Sequence, residues 1–282
     1  MLDGIIGHEK IVETLCRQVA GDHLAHAYLF VGPDGIGKSA VARRMLTESD
    51  LMVISRPRDE KTGKLKSSIS IEQIRELRDR LSLTSLSGER KTAFVEEADW
   101  MSIAAANALL KTLEEPRGDT VIILRAETIE SVPATVASRC QVLRFYPVPE
   151  ATIAEALVGR GFDREEATRV ARLSGGRPGV AIRLVTDGAY RAERDTATGA
   201  FGTIMSSSLP KRLALVADLL PKAEADKATA LAKILDAWEE AAREKMLAGD
   251  ARYVRVLDRL REAREAAEHN VNPQLALEHV VI

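Results

Sequence analysis

Apolar positions in the first half of the chain fall in short runs, each followed by a stretch with helical spacing. Residues 27–31 read Ala-Tyr-Leu-Phe-Val and end at a glycine-rich turn. That is the pattern of a strand buried on both faces of a parallel sheet. Thr92-Ala93-Phe94-Val95, Val121 to Leu124 and Val142 to Phe145 predict three further strands. Between them, helices are expected from Ser39 to about Leu46, from Ile71 to Leu83 and from Ala104 to Glu114. Ile74, Leu77 and Leu81 recur at spacings of three and four on one helical face, and Pro116 stops the last helix. Strands alternating with helices predict an α/β domain whose mostly parallel sheet is covered on both faces.

Beyond Pro149 the strand pattern stops. Ala151 to Gly161 and Arg164 to Leu173 have helical spacing, and Gly175-Gly176-Arg177-Pro178-Gly179 breaks the chain before another short helix. Asp187 to about Met205 is polar and glycine-containing, the composition of a linker. From Pro210 onward the pattern is helical. Leu231, Ile234, Leu235, Trp238 and Met246 form one stripe; Tyr253, Val256, Leu257 and Leu260 form another. The expected organisation is an α/β domain over 1–149, a small helical lid over 150–186, a linker over 187–205 and an all-α domain over 206–282.

Composition narrows the chemistry. Aromatic residues make up 4% of the chain, while Ala and Leu are frequent, which favours helices over β-sandwiches. Forty basic residues against 42 acidic ones give a net charge of −2, so no global field holds nucleic acid. Met1 to Gly7 lacks a basic segment followed by an apolar run, and no stretch reaches 18 uninterrupted apolar residues. A cytoplasmic protein without a membrane span is expected. Cys16 and Cys140 are too few and too far apart in sequence to form a zinc site alone.

Gly32-Pro33-Asp34-Gly35-Ile36-Gly37-Lys38-Ser39 fits the phosphate-loop pattern G-x-x-x-x-G-K-[ST] in full, between a predicted strand and a predicted helix. Gly32, Gly35 and Gly37 allow the sharp turn that points backbone N–H groups and a helix N-terminus at phosphate oxygens. Lys38 would reach the outer phosphates and Ser39 would coordinate Mg²⁺. At the end of the next strand, Phe94-Val95-Glu96-Glu97-Ala98-Asp99 supplies acids. Glu96 stands at the position of the metal-associated carboxylate, one methylene longer than the usual Asp, and Glu97 where a water-activating base belongs. ATP and Mg²⁺ binding are expected; hydrolysis by this chain is left open.

Two strings carry a closer resemblance. Ala104-Ala105-Ala106-Asn107-Ala108-Leu109-Leu110-Lys111-Thr112-Leu113-Glu114-Glu115-Pro116 and Pro133-Ala134-Thr135-Val136-Ala137-Ser138-Arg139-Cys140 resemble the helix and the Ser-Arg-Cys motif of AAA+ clamp-loader subunits of bacterial DNA polymerase III. Ile5-Ile6-Gly7-His8, His26 to Phe30 and Asn270 to Glu278 extend the likeness toward both ends. The resemblance implies that Arg139 is an arginine finger acting in trans on a neighbouring subunit's ATP, a role that suits a planar guanidinium. It also implies that the C-terminal helices form an oligomerisation collar in a hetero-pentamer with motor and delta-like subunits, acting on a sliding clamp and on primed DNA.

Departures refine the expectation. The family's four-cysteine zinc module is absent, because Thr47 to Asp50 passes directly to Leu51-Met52-Val53-Ile54, and no zinc is expected. Arg56 to Lys66 is basic and reads as an exposed loop with DNA contact as one option. The first sensor position falls at Arg125-Ala126, where Ala126 cannot bond a phosphate, and the second falls at Gly179, with Arg177 two residues early. These losses imply a delta prime-like stator, with weak or absent ATPase and no polymerase activity of its own. The alternative is an ATP-hydrolysing gamma/tau-like motor or another AAA+ ATPase such as a branch-migration helicase. A P-loop kinase or ligase fits the packing helices of the C-terminal third poorly.

Overall fold

The computed structural model describes residues 4–46, 51–59, 65–82, 90–116, 119–221, 224–268 and 271–282. Parts of the expectations at 47–50, 60–64, 83 and 270 therefore lie outside the described residues. The chain divides into two compact units, one holding nearly all residues up to Ile182 and the other Arg183–Ile282.

The first unit begins with α1 (Glu9–Ala20), β1 (Ala27–Val31), α2 (Lys38–Met45), β2 (Leu51–Ile54) and α3 (Ile71–Ser82). It continues through β3 (Lys91–Val95), a short 3₁₀ turn (Ala98–Trp100), α4 (Ile103–Glu114), β4 (Thr120–Ala126), α5 (Ala134–Ala137) and β5 (Gln141–Arg144). The five strands lie in the order β2-β3-β4-β1-β5, and every pairing is parallel. β1 is buried at every residue. Its odd positions, Ala27, Leu29 and Val31, pack with Leu109 and Leu113 of α4 and Ile74 and Leu77 of α3. Its even positions, Tyr28 and Phe30, pack with Leu15 of α1 and Val41 of α2. A continuous apolar run is what a strand with helices on both faces requires.

The four strands expected from sequence are present, and β2 joins them at one edge. Its burial is uneven, with Met52 and Ile54 buried and Val53 exposed. In α4 the Ser102 hydroxyl caps the first turn by accepting from Ala105 N–H at 3.1 Å. Ala105, Ala106, Leu109 and Leu113 face the core, whereas Asn107, Lys111 and Glu114 are exposed.

After β5 come α6 (Glu150–Val158), α7 (Arg164–Leu173) and α8 (Pro178–Thr186). Asp163 caps α7 through its carboxylate, which accepts from Glu165 and Glu166 N–H groups at 2.9 and 3.2 Å. Between α7 and α8, Gly176 has φ +76°, and a Cβ there would lie 2.7 Å from Pro147 Cβ. No larger residue fits that turn without a shift.

The second unit contains α9 (Gly188–Met205), α10 (Leu209–Leu219), α11 (Glu224–Leu247), α12 (Arg252–Glu268) and α13 (Pro273–Val281). The stretch expected as a linker is α9, and this corrects the sequence reading. Asp187 caps it by accepting from Tyr190 N–H at 3.0 Å, and Ala197, Phe201 and Ile204 are buried in the unit's core. Gly199 and Gly202 point their missing side chains into open space, so they lower helix propensity without interrupting the packed face. Arg194 is buried and paired with Glu240 of α11. Among the described residues no helix is long and apolar enough to cross a membrane.

Trp238 is the largest fully buried side chain of the second unit; it packs on Phe201 at 5.2 Å between ring centroids and donates to Ala197 O at 3.0 Å. Trp238→Ala should lower the stability of this unit by about 3–5 kcal/mol. Urea unfolding followed by far-UV circular dichroism checks this; a loss below about 1 kcal/mol would mean that the core of this unit does not depend on the α9–α11 contact.

Candidate functional site

β1 ends at Val31 and the chain turns at once into the phosphate loop. Gly32, Gly35 and Gly37 have φ of +148°, +75° and +119°, in the range that favours glycine. A Cβ on Gly32 would overlap the Phe145 carbonyl, and one on Gly35 would lie 2.8 Å from Val180 Cγ2. Gly37 is the N-cap of α2, so the free N–H groups of that helix open on the loop. Lys38 is buried, and its ammonium donates to Gly32 O and, at 2.8 Å, to Pro33 O. Burial lowers its pKa to about 8. Ser39 sits in the first turn of α2, half-buried.

This geometry fits the phosphates of a nucleotide. A buried cation with carbonyls as its direct partners, beside a helix N-terminus, gains from an anion that supplies both charge and acceptors. The donor set for an accompanying metal is thinner. Glu96, expected beside Mg²⁺, is paired with Arg43 of α2. Among the described residues no group of three or more His, Cys, Asp or Glu side chains is placed to hold a metal ion.

Glu97, expected as a base, is also committed. Arg56 donates to it from Nη2 at 2.8 Å, from Nε at 3.1 Å and from its backbone N–H at 2.9 Å, so both carboxylate oxygens are engaged. The same guanidinium lies 4.1 Å from the ring centroid of Trp100. Burial alone would raise the Glu97 pKa, but the Arg56 hydrogen bonds and charge outweigh it and hold the carboxyl below its ordinary value. Arg56 is thus no member of an exposed basic loop; its side chain is 17% exposed.

Arg125, at the Arg125-Ala126 position expected for the first sensor, joins the two motifs. Its guanidinium meets Asp34 of the phosphate loop at 2.9 Å and donates to the Glu96 carbonyl. Asp99, passed over in the sequence, accepts from Glu127 N–H at 2.9 Å and from the Ser131 hydroxyl, fixing the loop after β4. The signal for both was present in the runs Arg-Ala-Glu and Glu-Glu-Ala-Asp, but their pairing needs the sheet. Gly179, at the expected second sensor position, donates its N–H to Gly35 O at 2.8 Å.

Arg139 lies at the other end of the sheet, because Gln141 of β5 pairs with Tyr28 near the start of β1. Its guanidinium donates to Thr135 O at 2.8 Å and meets Glu114 at 2.5 Å. The structure therefore gathers Gly32, Gly35, Gly37, Lys38, Ser39, Glu96 and Glu97 at one end and leaves Arg139 apart. Beside it, burial pushes the Cys140 thiol up to about 12, which keeps it protonated and inert.

With this geometry in place, comparison with known proteins is informative. Residues 46–149 match the family model for DNA polymerase III, delta subunit. The delta prime subunit of DNA polymerase III from Pseudomonas aeruginosa is 34% identical over 189 residues, covering 57% of this chain and 56% of that one. The Bacillus subtilis delta prime subunit is 30% identical over 181 residues, covering 58% and 54%. The chain thus resembles delta prime subunits over about half its length. The tau subunit of Bacillus subtilis DNA polymerase III is also similar, at 31% identity over 175 residues, covering 56% of this chain and 30% of that one. The alignments span about half, or less, of these relatives' length. A Thermotoga maritima protein related to the gamma subunit of DNA polymerase III shares the fold, with a TM-score of 0.53 at 18% identity, covering 96% of this chain and 97% of that one.

The lowered Glu97 pKa has a consequence with a definite sign. A carboxylate held low in the folded state adds stability above its unfolded pKa, and that stability is lost as pH falls through the folded value. Arg56→Gln should cost about 1–3 kcal/mol at pH 7, because it strands a partly buried charge. The difference from wild type should shrink on acidification below about pH 4.5, where the unfolded carboxyl is protonated. Thermal melts at paired pH values test this; a pH-independent difference would show that Arg56 acts through its packing on Trp100 instead.

Proposed function

We propose that this chain is a delta prime-type stator of a DNA polymerase III clamp loader. It helps ATP-dependent loading of the sliding clamp onto primed DNA and offers Arg139 to a neighbouring subunit's nucleotide. The observation that carries this reading is the division of labour across the sheet. At the phosphate-loop end Arg56 holds both oxygens of Glu97 through three hydrogen bonds; at the far end Arg139 is about one-third exposed. Similarity to two delta prime subunits supports it.

In this reading residues 1–149 are the nucleotide-binding domain, 150–186 the lid, and the C-terminal helices the collar that joins a hetero-pentamer with motor and delta-like subunits. Within the chain's own site, Lys38 and the first-turn N–H groups of α2 bind and orient phosphates, with Ser39 toward the accompanying Mg²⁺. ATP, when bound, would supply the anionic oxygens that answer the Lys38 ammonium. Without a free base at Glu97 the site favours binding over turnover. Arg139 acts elsewhere: its planar fork neutralises charge on the phosphoryl group transferred in the adjacent subunit, an effect worth ~10³–10⁵ in rate where it has been dissected.

The motor reading draws on one feature, the intact nest around Lys38. Substitutions made in this subunit alone, within the reconstituted loader, separate the two. Arg139→Ala should reduce DNA- and clamp-stimulated ATP hydrolysis several-fold while the ring stays assembled by size-exclusion chromatography. Lys38→Ala should leave the maximal rate nearly unchanged. A rate lost with Lys38→Ala and kept with Arg139→Ala would make this chain a motor.

A further inference from the structure

We infer that Glu114 is a positioning residue for Arg139: it holds the guanidinium against its own chain and competes with the neighbouring subunit's nucleotide for it. The inference rests on the reading of Arg139 as a group that acts in trans. Its observations are its own.

Arg139 is not extended into solvent. Nη1 donates to the Thr135 carbonyl at 2.8 Å, and Nη2 meets Glu114 Oε1 at 2.5 Å. The backbone acceptor comes from α5 and the carboxylate from the last turn of α4, so two elements fix the guanidinium plane. Glu114 is at the unfavourable end of its helix for an acid, where the carbonyl ends of the peptide dipoles already carry negative charge. A cation answers that charge, and the Arg139 guanidinium supplies one.

The pair is also made to be given up. The side chains of Arg139 and Glu114 are 35% and 48% exposed, so water screens their attraction. A triphosphate presents several oxygens to the same fork of donors and carries more charge than a carboxylate. Sharing the guanidinium between Glu114 and a triphosphate would set two anions beside each other, so each weakens the hold of the other. Handing Arg139 across the interface therefore works against the Glu114 contact, and the neighbour's apparent nucleotide affinity carries that cost. The Thr135 contact involves a neutral acceptor and adds no such repulsion.

The test uses the reconstituted loader with substitutions in this subunit only, reading KM for ATP and maximal rate separately. Glu114→Gln keeps size and removes charge. It should lower KM about two- to five-fold, the range an exposed ion pair commands, with the gain shrinking as salt is raised. In an Arg139→Ala background the same substitution should do nothing, a result that a purely structural role for Glu114 would not give. An unchanged or raised KM in the wild-type background, or an equal drop in both backgrounds, overturns the inference and leaves the role of Arg139 standing. An Arg139→Ala loader that hydrolyses ATP like wild type removes the stator reading as well.

Discussion

Strand β1 is hydrogen-bonded in parallel to β4 on one side and β5 on the other, and it is buried along its whole length. This placement fixes where chemistry can stand. A parallel sheet has a single direction, so its strands deliver their following loops to one edge and receive the chain from helices at the other. The phosphate loop leaves β1 at the first edge, and the acids after β3 and Arg125 of β4 arrive beside it. Arg139 precedes β5 and is held at the second edge by the pairing of Gln141 with Tyr28. A register shift of one residue would exchange Tyr28 and Phe30 with Leu29 between the two cores, so the separation of the two ends is enforced by packing.

Charge at the nucleotide end is balanced within the chain. Asp34 is answered by Arg125, Glu96 by Arg43 and Glu97 by Arg56. These pairs differ in consequence. Asp34 and Arg43 are more than half exposed, so their pairs are screened and can open at little cost. Arg56 and Glu97 are both largely shielded, the guanidinium is sandwiched against Trp100, and three donors converge on one carboxylate. Removing either partner would strand a charge, which is costlier than the pair is worth. Among the described residues Lys38 has only carbonyls as hydrogen-bond partners, with Asp34, Glu127 and Asp99 acting on it at longer range. The site thus keeps a cation for an anion while Glu97 is held in an ion pair, the charge arrangement on which the proposed stator reading draws.

The buried strands and the phosphate loop were legible in the sequence because each obeys a local rule: β1 is apolar without a break, and the glycines recur at fixed spacing. Edge strand β2 was not, since Leu51 to Ile54 is a four-residue run whose Val53 faces solvent and whose burial depends on β3. Helix α9 was misread because Gly199 and Gly202 dilute it; what makes it a helix is the face of Ala197, Phe201 and Ile204 buried against α11. The fate of Glu97 was hidden for another reason. Its partner Arg56 is 41 residues earlier, within a basic stretch that looks solvated, and only the pairing of β2 with β3 brings the two together. Local periodicity reports elements; long-range charge pairing reports function, and it has no period.

The contact between Gly35 and Gly179 bears on the position where the sequence reading expects a second sensor. Gly179 N–H reaches Gly35 O at 2.8 Å, and a Cβ on Gly179 would stand at 2.8 Å from that same oxygen. Gly35 is equally constrained, with Val180 Cγ2 where its own Cβ would be. An arginine at 179 would need the first turn of α8 to withdraw from the loop, which would break this hydrogen bond and pull Val180 off Gly35. Arg177 does not compensate, because its Nε is directed to Ser174 O at 3.1 Å. Close seating of α8 on the phosphate loop and an arginine sensor at this position are mutually exclusive. The chain has taken the seating, so the loop's conformation is set by packing of its own glycines rather than by a charged group that would report the state of a bound phosphate.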